Sequence, residues 1–119
     1  MTATFTHGDP AFVTIGDLDE VLPGTARAVV VGNNAVAIFR VGGGFLALDD
    51  GCLHCGTSLA SGWLCSGHVI CPQCHWRYEL TSGRVEGVPG LHADAFEVRV
   101  AGSVVELCTV PKPFPQNAR

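Results

Sequence analysis

The segment Cys71–Tyr78, CPQCHWRY, decides how the chain is interpreted, together with a segment that begins 19 residues upstream, Cys52–Gly56, CLHCG. Each segment offers thiol and imidazole side chains within five residues. Such side chains at short spacing in two separate loops are typical of a metal site. The two segments therefore predict the two halves of one metal centre.

Two ligand patterns fit these segments. The first is Cys52-x2-Cys55 with Cys71-x2-Cys74, which taken alone indicates a four-cysteine zinc or iron site. The second uses Cys52 and His54 with Cys71 and a ligand at position 74 or 75. That spacing is the one of a Rieske [2Fe–2S] centre, in which two cysteines hold one iron and two histidines hold the other.

The remainder of the chain has the pattern of an all-β protein. Short β-branched or apolar runs alternate with glycine- and asparagine-rich turns, at 32–34, 42–44 and 101–103. Only residues 15–24 predict a helical turn, with Asp17 as its N-cap. The pattern predicts a small antiparallel barrel or sandwich. The strand-forming runs begin at Ala28, Ala35, Phe45, His68, Arg77, Phe96 and Val104.

Composition narrows the class of protein. The 119 residues suffice for one domain, and the net charge of −4 without a basic cluster argues against nucleic acid as a partner. No apolar run reaches the length of a membrane span, and the N-terminus does not have the pattern of a signal peptide. Six cysteines in such a chain favour metal or redox chemistry over structural disulfides. We therefore expect a cytoplasmic protein.

Residues 45–87 resemble a Rieske-type ferredoxin domain. Beyond the cysteines and histidines, the resemblance includes the SLASGWL segment after the first loop, and the Trp-Arg-Tyr and TSGR segments after the second. It extends over about residues 12–108 and implies an antiparallel β core with a small subdomain that carries both loops. Single-domain relatives of this kind are ferredoxins that feed aromatic-ring oxygenases, or small subunits related to NAD(P)H nitrite reductase.

The second loop departs from the family pattern, Cys-Pro-x-His-Gly-Trp-Arg-Phe. Alignment without gaps puts Cys74 at the family's histidine position and His75 at its glycine position. The alternative alignment makes His75 the ligand, and the resemblance then implies a Cys55–Cys74 disulfide. We favour the first alignment and expect a reduction potential between those of the all-cysteine and the Rieske classes. Its ligands are Cys52, His54, Cys71 and Cys74.

The sequence thus predicts an electron carrier and not an enzyme. A single Rieske-type domain, 1–119, would hold a [2Fe–2S] cluster in loops at about 50–80 and end in a proline-rich tail, 110–119. It would pass single electrons from a flavin reductase to an oxygenase or a similar terminal enzyme. The alternatives are a zinc-stabilised structural module and the small subunit of a nitrite-reductase-like enzyme. We expect Trp63 and Trp76 to shield the metal from water.

Overall fold

The structure, a computed structural model, describes residues 11–113. It contains nine β-strands and two single-turn 3-10 helices, Leu18–Glu20 and Leu59–Ser61. The strands are β1 Phe12–Asp17, β2 Ala26–Val31, β3 Asn34–Val41, β4 Gly44–Asp49, β5 Trp63–Cys65, β6 His68–Ile70, β7 Arg77–Glu79, β8 Ala95–Ala101 and β9 Val104–Pro111.

The strands form two antiparallel sheets. The larger sheet has six strands in the order β1-β9-β8-β4-β3-β2, and the smaller sheet has three in the order β5-β6-β7. The smaller sheet comes from the excursion between β4 and β8, where both cysteine-containing segments lie. The expectation of an all-β antiparallel fold with a small subdomain for the two loops is therefore confirmed.

Tight turns join the strands where glycine and asparagine predicted them. Val41 pairs with Gly44 across the β3–β4 turn, so only Gly42 and Gly43 form the loop. Both have positive φ, 59° and 81°, as a two-residue type I′ turn requires. An L-residue would be strained at either position, so the sequence fixes this hairpin locally.

The predicted helical turn is mostly wrong. The segment begins as the end of β1, which pairs with β9, and only Leu18–Glu20 form a 3-10 turn. Asp17 occupies the N-cap position with extended dihedral angles, but its side chain makes no capping hydrogen bond. Pairing of β1 along β9 outweighs the local helical preference, because it satisfies a row of backbone groups that a short helix would leave to water.

The core lies on both faces of the larger sheet. In β3 the consecutive residues Val36, Ala37, Ile38 and Phe39 are all buried, so alternate side chains supply opposite faces. Val36 and Ile38 pack with β8 and β9, whereas Ala37 and Phe39 pack against the smaller sheet. Cys52 and Cys71 belong to this second cluster. The two cysteine-containing segments are therefore anchored in the core at their first cysteines.

The proline-rich tail lies largely outside the described residues. Its first two residues, Val110 and Pro111, end β9, and the description stops at residue 113. Within residues 11–113 no helix has the length and apolar character needed to cross a membrane.

Candidate metal centre

Each cysteine-containing loop leaves the core at a buried cysteine. The first loop follows β4 and ends at the 3-10 turn Leu59–Ser61, and the second joins β6 to β7. Cys52 is 4% exposed and Cys71 is fully buried, whereas Cys55 is exposed and Cys74 half-buried. Each loop therefore runs from the interior to the surface within four residues.

Asp50 holds the base of the first loop. It is the buried charged residue of the described core, and its Oδ1 accepts hydrogen bonds from the Ser58 hydroxyl at 2.8 Å and the Ala60 amide at 2.9 Å. Its own carbonyl accepts from the Leu59 amide. A buried carboxylate with these donors ties the two ends of the loop together.

The two loops share one pattern of backbone hydrogen bonds. The Cys52 amide donates to the carbonyl of Thr57, five residues on, and the Cys52 carbonyl accepts from the amide of Gly56, four residues on. In the second loop the Cys71 amide donates to Trp76, and the Cys71 carbonyl accepts from His75, at the same offsets. Both loops therefore have the same backbone hydrogen bonds around their first cysteine, and both have a second cysteine at the fourth position.

The fifth position of each loop has a left-handed backbone conformation. Gly56 has φ 80° and His75 has φ 67°. His75 thus occupies the position that glycine takes in the first loop, as the gapless alignment predicts. A histidine is strained there, because its Cβ crowds the backbone in this region.

Four cysteines converge where the loops face each other. The Sγ atoms of Cys52 and Cys74 are 3.6 Å apart and those of Cys55 and Cys71 are 3.5 Å apart. All four Sγ atoms lie within 4.8 Å of one another. All six cysteines of the chain are free thiols, so the Cys55–Cys74 disulfide of the alternative alignment is not formed.

The structure brings together three of the expected ligands, Cys52, Cys71 and Cys74, and adds Cys55. His54 is outside this group, and its ring stacks on Trp76 with centroids 4.7 Å apart. His75 is outside it too, with its ring 5.7 Å from that of Trp63. The resemblance carried His54 into the favoured set, although the equal Cys-x2-Cys spacing of the two segments was a signal for Cys55.

Comparison with known proteins identifies the family. The family model described as Rieske [2Fe-2S] domain matches residues 11–110. The chain belongs to this family. The biphenyl dioxygenase ferredoxin subunit of Pseudomonas sp. strain KKS102 is 32% identical over 93 residues, which are 76% of this chain and 85% of that protein.

Solved Rieske structures share the fold. The ferredoxin of carbazole 1,9a-dioxygenase from Nocardioides aromaticivorans IC177 has a TM-score of 0.76 and 26% identity, covering 82% of this chain and 97% of the ferredoxin. A chain from a complex of reduced oxygenase and oxidized ferredoxin in carbazole 1,9a-dioxygenase has a TM-score of 0.77 and 28% identity, covering 88% of this chain and 99% of that one. These relatives confirm the expected role of a Rieske electron carrier that is not itself a catalyst.

The [2Fe–2S] cofactor expected from the sequence is the one that the matching Rieske family carries. The described residues of this chain offer a four-cysteine group that could hold a metal centre. Thiolates are the usual ligands of iron–sulfur centres, so the type of donor atom suits iron. The ligand types nevertheless differ from the two cysteines and two histidines of a Rieske cluster.

Tyr78 supports the Rieske loops from inside. Its side chain is fully buried, and its hydroxyl accepts a hydrogen bond from the Leu53 amide at 2.8 Å. The same hydroxyl lies 3.2 Å from Cys52 Sγ. Burial, and then the contact with Cys52, raise the pKa of Tyr78, so the phenol stays protonated. Its O–H group can therefore donate a hydrogen bond to a Cys52 thiolate. No spacing pattern in the sequence marks this role of Tyr78.

The thiols of the group differ in acidity. Hydrogen bonds from the Thr57 side chain and backbone lower the pKa of Cys55 to about 6. Burial opposes ionisation of Cys52, but hydrogen bonds from Tyr78 and from backbone amides prevail and lower its pKa. Burial raises the pKa of Cys74 to about 12. Metal binding replaces the protons, since the thiolate is the ligand form of cysteine.

The two tryptophans expected to shield the metal differ in exposure. Trp76 is half-buried against the core cluster, whereas Trp63 is 53% exposed. Trp63 instead forms part of a rim around the loops, with its ring beside His75. Leu53, His54, Gln73 and His75 are also exposed there.

Proposed function

We propose that this Rieske protein takes single electrons from a flavin reductase and passes them to an oxygenase through a centre held by four thiolates. The observation that carries the proposal is the surface-facing four-cysteine group in a fold shared with oxygenase ferredoxins. An iron–sulfur centre supplies the one-electron redox chemistry when bound. The chain itself supplies ligands, hydrogen bonds and a docking surface.

The proposed ligands divide by position. Cys52 and Cys71 are the buried pair and fix the centre to the core, whereas Cys55 and Cys74 lie on the side that faces water. The hydroxyl of Tyr78 and the amides of the first loop stabilise negative charge on Cys52. Cys55 is the exposed ligand, so its Sγ atom would lie nearest to a docked partner. Electrons would therefore leave through this sulfur rather than through an imidazole edge.

The rim defined by Leu53, His54, Trp63, Gln73 and His75 is the docking surface in this proposal. Leu53 is 47% exposed and Trp63 53%, and none of the five side chains carries a fixed charge. Exposed apolar and aromatic side chains among uncharged polar ones are typical of a protein interface. One of the structures similar to this chain contains a ferredoxin together with its oxygenase, which supports an oxygenase as the partner. We place the protein in the cytoplasm, where soluble flavin reductases would reach it.

Visible absorption during anaerobic titration with dithionite tests the proposal. We expect a coloured protein that bleaches on reduction with one electron per chain and recovers its colour in air. Cys55→Ala should remove the colour, because it removes a ligand. His54→Ala, in the adjacent position, should keep it. A colourless protein that contains zinc and takes up no electrons would contradict the proposal, and retention of colour in Cys55→Ala with loss in His54→Ala would contradict the ligand set.

The partner proteins call for a separate test. Immobilised metal-loaded protein should retain the flavin reductase and the oxygenase of its host, and the double variant Leu53→Ser, Trp63→Ser should retain neither while keeping its absorption spectrum. Retention of a large sirohaem-containing chain instead would favour the small subunit of a nitrite reductase.

A further inference from the structure

The four thiols lie too close together to form two separate pairs. The contacts of 3.6 and 3.5 Å both run between the loops, from Cys52 to Cys74 and from Cys55 to Cys71. The largest separation among the four Sγ atoms is no more than 4.8 Å. No partition of the four atoms therefore gives two pairs that stand well apart.

A single tetrahedral ion requires this kind of spacing. With a metal–sulfur bond of about 2.3 Å, the six edges of a tetrahedron of thiolates are all about 3.8 Å long. A two-iron cluster requires something else, because each iron holds its own pair of protein ligands and the irons with their bridging sulfides lie between the pairs. Distances between pairs must then clearly exceed distances within a pair.

The backbone gives the same indication. Both loops have the same hydrogen bonds around their first cysteine, to residues four and five positions on. The pairs Cys52–Cys55 and Cys71–Cys74 are therefore equivalent halves that meet face to face. The third position of each loop, His54 or Gln73, is exposed, and the His54 ring is occupied by stacking on Trp76. Neither loop brings an imidazole to the group.

We infer that the four-cysteine group of this chain is a single-iron site, with one iron bound tetrahedrally by Cys52, Cys55, Cys71 and Cys74 and without inorganic sulfide. The inference rests on the ligand set proposed above and departs from the two-iron cofactor of the family. The proposed function is compatible with it: reduced flavin in the reductase would give one electron to convert ferric to ferrous iron, and the oxygenase would accept that electron as the iron returns to the ferric state. No proton or covalent step is required.

Metal stoichiometry tests the inference on the full-length chain. The metal-free protein, kept anaerobic and reduced, is titrated with Co²⁺, whose ligand-field bands report tetrahedral thiolate coordination. We expect saturation at one Co²⁺ per chain, an unchanged end point in His54→Ala and in the surface variant Cys65→Ser, and weaker, altered bands in Cys55→Ser. Saturation at two ions per chain would overturn the inference.

Iron and acid-labile sulfide in the protein as purified give an independent readout. One iron and no sulfide per chain, with a high-spin ferric EPR signal before reduction, is the expected result. Two irons and two sulfides, with a signal that appears only after reduction, would overturn the single-iron site while the electron-carrier function stands. One zinc ion per chain, retained even when the protein is produced with excess iron, together with no redox activity, would overturn both the single-iron site and the electron-carrier function.

Discussion

The two cysteine-containing loops have the same backbone and different chemistry. Both begin at a buried cysteine whose amide and carbonyl bond to residues five and four positions on. At the fifth position the first loop has Gly56 and the second His75, both at positive φ. At the sixth position the first loop has Thr57, whose hydroxyl contacts Cys55, and the second has Trp76, whose ring stacks on His54.

This comparison shows that loop geometry, rather than residue type alone, selects the ligands. Positions one and four face the other loop in both cases, so cysteines at these positions meet whatever occupies position three. The differences at positions five and six then adjust strain and acidity without changing which atoms converge. Four experiments test whether the two loops are equivalent.

Removal of the cysteine at the fourth position of the second loop has the largest expected effect. We expect Cys74→Ser to lose most of the bound metal, since a thiolate ligand is replaced by a poorly coordinating hydroxyl. Cys65→Ser, which removes an exposed thiol outside the group, is the matched control. His75→Ala should keep the metal. Metal content after gel filtration measures each result, and metal retained in Cys74→Ser but lost in His75→Ala would support the alternative alignment.

The acidity of the exposed thiols separates the loops next. With a pKa of about 6, Cys55 of the metal-free protein is mostly thiolate at pH 7, whereas an ordinary cysteine is about 3% thiolate there. Cys74, with its pKa raised to about 12, stays protonated. We expect iodoacetamide to modify Cys55 first, at a rate that rises with pH and levels off above about pH 7.

Thr57→Val sharpens this prediction, because it removes the hydroxyl that stabilises the Cys55 thiolate. The pKa of Cys55 should rise, and its alkylation rate at pH 7 should fall roughly tenfold. Mass spectrometry of peptides after timed quenching gives both rates. Equal rates at Cys55 and Cys74 in the unmodified sequence would show that the two loops do not differ in acidity.

Exchange of the fifth residues tests strain. Gly56→Ala should lower the free energy of unfolding by about 1 kcal/mol, because alanine is disfavoured at positive φ and no side chain or backbone atom lies close enough to interfere otherwise. His75→Gly should raise it by about 0.5 kcal/mol, since relief of strain is partly offset by the lost contact with Trp63. Urea unfolding of the metal-free proteins measures both, and changes of equal sign would contradict the equivalence of the loops.

Loss of the Tyr78 hydroxyl has the smallest expected effect on the centre. In Tyr78→Phe the Cys52 thiolate loses a hydrogen-bond donor, so the more negative, reduced centre is destabilised. The reduction potential should fall by on the order of tens of millivolts, where about 59 mV corresponds to a tenfold change for one electron. Redox titration followed by absorbance measures the shift. An unchanged potential would show that the hydroxyl serves only the Leu53 amide.

The amino-acid sequence was enough to derive the all-β class, most strand positions and the two cysteine-containing segments. Gly42 and Gly43 fix a hairpin because they adopt dihedral angles that other residues avoid, and this property is local. The alignment of Cys74 with the family's histidine and of His75 with its glycine could also be derived, and the positive φ of His75 agrees with it. The end of β1 could not be derived, because its extended form depends on pairing with β9, almost 90 residues away in sequence.

Only the tertiary structure decided which side chains converge. His54 and Cys55 are neighbours in sequence, and both residue types are common metal ligands, so residue type does not decide between them. Cys55 faces Cys71 because the hydrogen bonds of the first loop turn its fourth position toward the second loop. His54 is turned to the surface, where its ring stacks on Trp76 of the other loop. That choice depends on contacts between segments about 20 residues apart, which no local pattern contains.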